Sequence, residues 1–313
     1  MSTRLKPQNL VEVMPANKSM VDNMDNCLIT GTSTGIGYAA AIHLARNGFR
    51  VHATMRDLAK KKPLQETIET EKLPIVMHRL DVTDRSSIDE VVANILDSDG
   101  HIDILINNAG LSNSCPMEIY PEDEHRLLFE TNYWGPVHLT QAVLPSMRAQ
   151  GHGSIVNVSS ILGRVAVVNQ AAYCASKFAI EAFSESLALE VAPMGLRVII
   201  IEPGVIATPI FGKTPIHYDK TSPYRQAMRQ GGRFYRASIP QATPPEELAE
   251  IMLQALTSEQ PQLRWLHGHG ASLVEQRPNI QDEDYIAMTT LDDETYDARF
   301  KDFFGINLAV SSK

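Results

Sequence analysis

The sequence predicts an α/β fold with one doubly wound parallel sheet covered by helices on both faces, and three observations predict it. Short, nearly continuous apolar runs alternate with helical stretches between Cys27 and Ile201, as strands buried on both faces do. A glycine-rich turn follows the first apolar run and opens the first helical stretch. The 313 residues are 43% apolar and 21% charged, enough to bury one large core.

Taken in order, residues Met1 to Asp25 are polar and aperiodic and read as a loose arm. Cys27 to Thr30 is the first strand. Ile36 to Arg46 is a helix that stops at Asn47-Gly48, as a C-cap should. Arg50 to Met55, Ile75 to Leu80 and Ile102 to Asn107 are the second to fourth strands, and Ser86 to Leu96 is a helix with Ile88, Val91, Val92 and Ile95 on one face. Glu122 to Arg148 reads as one long helix, Ser154 to Ser159 as a fifth strand, Ala171 to Ala192 as a helix and Leu196 to Ile201 as a sixth strand. After Gly204 the pattern breaks. Residues 207–245 are rich in glycine, proline and polar side chains, in the place of a substrate lid. Pro245 to Leu256 is helical, Leu263 to Leu266 a last strand, and 267–313 a C-terminal extension that packs near the lid or at a subunit contact.

The net charge of −9, from 28 basic and 37 acidic residues, is spread along the chain and argues against nucleic-acid or membrane partners. The one basic cluster, Lys60-Lys61-Lys62, reads as a solvated helix start. Three cysteines, Cys27, Cys115 and Cys174, lack metal-ligand spacing and fit a reducing compartment. No metal site is expected, and His267 and His269 on their glycine loop read as solvent-exposed. Without a run apolar enough for a signal peptide or a membrane span, a cytoplasmic protein is expected.

The turn is Thr30-Gly31-Thr32-Ser33-Thr34-Gly35-Ile36-Gly37. Gly31 permits a tight bend, Gly35 a close approach of backbone to a pyrophosphate at the helix N-terminus, and Gly37 close packing of the helix. Three residues rather than one separate the first two glycines, so the spacing is not the usual dinucleotide fingerprint. Tyr173 and Lys177 are four apart on a helix and share a face. A cation there favours the phenolate; moving a tyrosine pKa from about 10 to about 7 needs roughly 4 kcal/mol. Taken alone, such a pair also suits an ordinary surface contact, and Ser159-Ser160 an ordinary strand end.

Together with Asn107-Asn108-Ala109-Gly110 after the fourth strand and Pro203-Gly204 after the sixth, these motifs resemble the classical short-chain dehydrogenase/reductases over about residues 26 to 266. The resemblance implies a Rossmann-type catalytic domain and a hydride-transferring enzyme. It makes Tyr173 the general acid/base, Lys177 the group that holds the nicotinamide ribose, Ser160, thirteen residues before Tyr173, the substrate-oxygen donor, and Asn132 the holder of a proton-relay water. Ser159 is the neighbour with which Ser160 can be confused. The cofactor residues implied are Gly31, Thr32, Ser33, Thr34, Gly35, Ile36, Gly37, Asp81, Val82, Asn108, Ala109, Gly110, Pro203, Gly204, Ile206 and Thr208 besides Tyr173 and Lys177.

Met55 stands where an acid that binds the adenosine ribose is expected, and Arg56 follows it. Arg56 can pair with a 2′-phosphate, so NADP(H) is preferred. NAD(H) stays open, because Asp57 can occupy Arg56. The segments 51–57, 201–204 and the lid resemble the branch of hydroxysteroid and retinol dehydrogenases and carbonyl reductases, which implies a bulky apolar carbonyl or alcohol substrate. Tyr218, Tyr224, Phe234 and Tyr235 either line its pocket or pack the lid. Surplus apolar residues over 127–144 and 171–189 lie where the family makes a subunit interface, so a homodimer or homotetramer is expected. Two other functions remain open here: a non-catalytic NADP-binding redox sensor, against which the intact Tyr173, Lys177, Ser160 and Asn132 set speaks, and a broad-scope NAD-dependent alcohol dehydrogenase.

Overall fold

The computed structural model describes residues 24–213 and 221–309. Most of the expected arm, and Tyr218 in the lid, lie outside them. Seven strands form one parallel sheet: β1 (Asn26–Ile29), β2 (Arg50–Met55), β3 (Ile75–Arg79), β4 (Ile104–Asn107), β5 (Gly153–Val158), β6 (Leu196–Pro203) and β7 (Arg264–His267). Their order is β3-β2-β1-β4-β5-β6-β7. The order reverses between β1 and β4, so a crevice opens at the carboxyl ends of those strands. Helices α1 (Gly35–Arg46), α2 (Lys62–Glu71) and α3 (Arg85–Asp99) connect the first four strands. Alternate strand residues serve opposite faces. Ile29, Ile106, Val156 and Ile199 join one apolar cluster with α1, whereas Leu28, Leu105, Ile155 and Val198 join another with α3. A full burial such as that of Leu28 or Leu105 contributes about 1.5–3 kcal/mol.

The expected single helix over 122–148 is interrupted. α4 (Glu122–Phe129) and α5 (Gly135–Gln150) are joined by a π turn over Glu130–Trp134, closed by a bond from Gly135 N–H to the Glu130 carbonyl. Two local features account for it. Asn132 turns its side chain inward, accepting from Leu111 N–H at 2.8 Å and donating to the Leu111 carbonyl at 2.9 Å. Pro136 has no N–H to return to the Asn132 carbonyl. α6 (Ala171–Val191) follows β5 and carries the Tyr/Lys pair.

Beyond β6 come α7 (Ile210–Lys213), α8 (Arg225–Ser238) and α9 (Pro245–Thr257), and beyond β7 come α10 (Ala271–Gln276), α11 (Asp282–Met288) and α12 (Asp293–Phe304). Asp292 caps α12, accepting from Glu294 and Thr295 N–H, and Gly305 ends it in the left-handed region at φ 71°. The tail packs on the lid helix α8. Arg229 pairs with Asp293 at 2.8 Å, Arg233 with Asp297, and Gln226 donates to the Leu291 carbonyl at 2.9 Å. Phe234 of α8 meets Phe300 of α12 with ring centres 5.9 Å apart. Leu273, Phe300 and Phe304 thereby share one apolar cluster with Ile161, Leu162 and Cys174 beside α6. Among the described residues no helix is long and apolar enough to cross a membrane.

Candidate active site

The loop between β1 and α1 is held to the chain after β4 through the side chains of Thr30 and Asn108. Thr30 Oγ1 accepts from Asn108 and Ala109 N–H at 2.9 and 3.0 Å, and Asn108 Nδ2 donates to the Thr30 carbonyl at 2.8 Å. Gly31 adopts φ +74°, and a Cβ on it would stand 2.9 Å from Ala109 Cα. A Cβ on Gly37 would stand 2.4 Å from Asn108 Nδ2 and 2.6 Å from the Gly31 carbonyl. Gly37 therefore lets α1 press on the turn itself, rather than on the strand. The outcome is a helix N-terminus aimed into the crevice, which favours phosphate.

A cleft of about 390 Å³ runs across the sheet here, inside the roughly 300–1,000 Å³ range of small-molecule sites. Its first half is lined by Gly31, Ser33, Thr34, Gly35, Ile36, Arg56, Asp81, Val82, Asn108, Ala109 and Gly110. Its second half holds Ser160, Tyr173, Lys177, Pro203, Gly204, Ile206 and Thr208. Of the expected site residues, Thr32, Gly37 and Asn132 stand behind the walls. Thr32 is buried and donates to the Thr54 carbonyl at 3.1 Å. Asn132 also donates to Ser176 Oγ at 3.1 Å, so its side chain is committed to structure.

At the end of the cleft beside β2, Asp57 caps a short 3-10 turn, accepting from Ala59 N–H, and lies 3.9 Å from Lys60. It is turned toward that lysine. Lys60, expected to be solvated, is exposed and also lines the cleft, as Arg56 does. Asp81 orients the next turn by accepting from Thr83 N–H and hydroxyl at 3.0 and 2.8 Å.

At the other end Ser160 and Tyr173 face one space. Ser160 Oγ accepts from Leu162 N–H at 3.1 Å. Burial pushes the Tyr173 phenol up to about 12, with the Ser160 hydroxyl beside it pulling the other way. This corrects the expected depression by Lys177. The Lys177 ammonium is 5.8 Å from the Tyr173 ring centre and donates instead to the Val158 carbonyl at 2.8 Å. Burial lowers Lys177 itself to about 8, against the opposing pull of Glu181. Desolvation is the largest cause in both.

The remaining wall is apolar and aromatic: Leu111, Leu162, Phe211, Phe234 and Tyr235. Phe211 and Phe234 lie 5.7 and 5.3 Å from the Tyr235 ring. Buried Gln170 donates to the Tyr235 hydroxyl. Tyr224 does not line the cleft. His267 and His269 are half-buried rather than solvent-exposed: His267 lies 3.3 Å from Glu247, and the His269 carbonyl accepts from Val205 N–H, backing the Gly204 turn. Among the described residues no group of three or more His, Cys, Asp or Glu side chains could hold a metal.

Residues 25–218 match the family model of the short chain dehydrogenases. Retinol dehydrogenase 8 of Bos taurus is 36% identical over 262 residues, which are 78% of this chain and 82% of that protein. The 17-beta-hydroxysteroid dehydrogenase type 1 of Mus musculus is 32% identical over 249 residues, 76% of this chain and 72% of that protein. The crystal structure of a short-chain dehydrogenase from Streptomyces avermitilis superposes with a TM-score of 0.74 at 34% identity, covering 87% of this chain and 97% of that one. With a doubly wound parallel sheet, a glycine turn at its switch point and these relatives, the chain belongs to the short-chain dehydrogenases, in their classical group and on the branch of retinol and hydroxysteroid dehydrogenases.

Proposed function

We propose that the protein is an NADP(H)-dependent oxidoreductase acting on a carbonyl or secondary alcohol of a bulky apolar substrate of steroid or retinoid type. The observation that carries this reading is one cleft with a phosphate-favouring helix N-terminus and two basic side chains at one end, and Ser160, Tyr173 and Lys177 at the other. Gly31 and Gly35, both at positive φ, leave a bare backbone cradle that fits a pyrophosphate, so the residues present suit the cofactor. Arg56 and Lys60 would hold a 2′-phosphate, Asp81 the adenine, and Lys177 the nicotinamide ribose. The bound nicotinamide supplies or accepts the hydride.

The protein's own part is to manage a proton and exclude water. Tyr173 Oη gives its proton to the substrate oxygen during reduction, and Ser160 donates a second hydrogen bond to the same oxygen. A phenol raised to about 12 rests protonated at neutral pH, so the proton to be given is in place. The Asn132 main-chain carbonyl, which Pro136 cannot serve, is the proposed seat of a relay water. Residues 207–245 act as the lid, and Phe211, Phe234 and Tyr235 accept an apolar body. Leu127, Trp134, Phe178 and Leu189, exposed on α4 to α6 and the turn between them, support a homodimer or homotetramer. Three unpaired buried thiols suit the cytoplasm.

NADPH oxidation across steroids, retinoids, aryl ketones and short aldehydes tests the reading. Tyr173→Phe is expected to lose about 10³-fold in turnover while NADPH affinity stays near wild type. Wild-type turnover in that variant would overturn the assignment.

A further inference from the structure

On the apolar wall of the cleft, made by Leu111, Leu162, Phe211, Phe234 and Tyr235, the Tyr235 hydroxyl is the one polar side-chain group. It accepts a hydrogen bond from Gln170 Nε2, and among the described residues its own proton meets no acceptor. Gln170 is 3% exposed, and its Oε1 is buried without a hydrogen-bond partner. Buried polar groups left unpaired are costly and uncommon in native proteins. The pair thus carries a spare donor and a spare acceptor at the edge of a space that suits a ligand. Its placement is not a by-product of helix capping. Gln170 begins α6, its carbonyl accepting from Cys174 N–H at 2.8 Å, yet its side chain makes no cap bond. That task falls to Asn113, whose Oδ1 accepts from Tyr173 N–H at 3.2 Å. The Gln170 amide is spent on the lid helix α8 instead, where it fixes the Tyr235 phenol. Burial and the nearby Tyr173 phenol push the Tyr235 phenol up, so it keeps its proton at neutral pH.

We infer that Tyr235 is a specificity-determining residue: its hydroxyl, oriented by Gln170, donates to a second oxygen of the substrate, close to the carbonyl held by Ser160 and Tyr173. The favoured substrate is then an apolar ketone with an acceptor oxygen near its reacting carbon. This rests on the proposed function for which group reacts, but not for what Tyr235 binds. A ketone without that oxygen leaves the Tyr235 proton unpaired in a site emptied of water, and the second oxygen removes the penalty. The Tyr235 ring, with Phe211 and Phe234 beside it, still packs on the apolar body. One side chain therefore serves both shape and polarity.

The test compares tetralone with isochromanone and chromanone, in which a ring oxygen replaces one methylene at nearly the same shape. An ether oxygen accepts a hydrogen bond and donates none. Two quantities are read for each ketone: its dissociation constant from the complex with NADP+, and kcat/KM with NADPH. Wild type is expected to favour a ring-oxygen ketone over tetralone, and Tyr235→Phe to cut that preference by about tenfold, the factor of one neutral hydrogen bond. Gln170→Leu is expected to lower it as well, since the phenol is then free to turn away. Each preference is a ratio within one variant, so a general loss of lid packing cancels. A wild type without the preference, or a preference that Tyr235→Phe leaves intact, would overturn the inference. A preference in binding without any NADPH oxidation would sink the proposed function and leave the role of Tyr235 standing.

Discussion

Where the cleft faces the first four strands its wall is a glycine turn with polar and charged side chains around it; where it faces the last strands and the C-terminal helices its wall is side-chain rings. The first wall consists of hydrogen bonds between the β1 turn and β4, through Thr30 and Asn108, with glycines wherever a Cβ would collide. The second consists of Leu162, Phe211, Phe234 and Tyr235, supported from outside by Phe300 and Phe304. A glycine turn at a helix N-terminus suits one shape, common to every molecule with a pyrophosphate. A wall of rings can be recut by substitution without moving a strand. On the proposed reading, the contrast means that cofactor and substrate recognition are built separately in this protein.

The strongest way to break this contrast acts on the outer ring support. Phe300→Ala is expected to cost about 3–5 kcal/mol of stability, and in protein that stays folded to raise KM for apolar ketones while leaving NADPH affinity within about twofold. Denaturant unfolding and cofactor titration check both, and an equal loss of cofactor binding would merge the two walls into one unit.

Acid should act on the other side. His52 is buried between β1 and β3, 3.0 Å from His78 Nε2 and 3.2 Å from Asp99. Burial and His78 lower it to about 4. The folded pKa lies below the unfolded value of about 6.5, so the unfolded chain binds a proton that the native state lacks. The contribution is full above about pH 6.5 and is lost as pH falls through about 4, on the order of 2–3 kcal/mol. Hydrogen exchange should show β2 and β3 loosening before α8 and α12, and His52→Asn should flatten that acid limb. A limb unchanged by the substitution would remove His52 as its source.

Cofactor choice sharpens the contrast at its rim. Arg56→Asp is expected to shift the kcat/KM ratio of NADPH to NADH by about 10–100-fold toward NADH, the range of one or two charge-assisted bonds. Equal use of both cofactors by the wild type would remove the premise. The smallest effect belongs to the lid seam, where Arg229→Ala should cost under about 1 kcal/mol, since Arg229 is half-exposed. Its unfolding midpoint and its substrate KM should both stay close to wild type.

How far these features could be read in advance follows the same division. The strands and the helices around α1 and α6 were legible because the inner strands are apolar on both faces, leaving an unbroken signal such as Val198-Ile199-Ile200-Ile201. The glycine turn was legible because it needs particular residues at particular positions. The C-terminal helices were not, for their apolar residues pack against the lid and one another rather than on a sheet. Asp292 before α12 and Gly305 after it were the cues that mark that helix. Lys60 carried no sign of its own in the sequence, since a basic run reads as solvated whether or not a cleft opens beside it. The upward displacement of Tyr173 was hidden because spacing reveals a neighbouring charge but not how much water both groups lose.

The π turn over Glu130–Trp134 also sets helical phase. One residue more than an α-helical turn requires is stored between α4 and α5, and one residue corresponds to about 100° of rotation. On one side Leu128 is buried, on the other Leu139, Val143 and Met147 are buried against the sheet. A single deletion here would let the backbone close into regular α geometry, yet it would rotate one of the two apolar faces into solvent. Chain length in this stretch is thus constrained alongside the identities of Asn132 and Pro136.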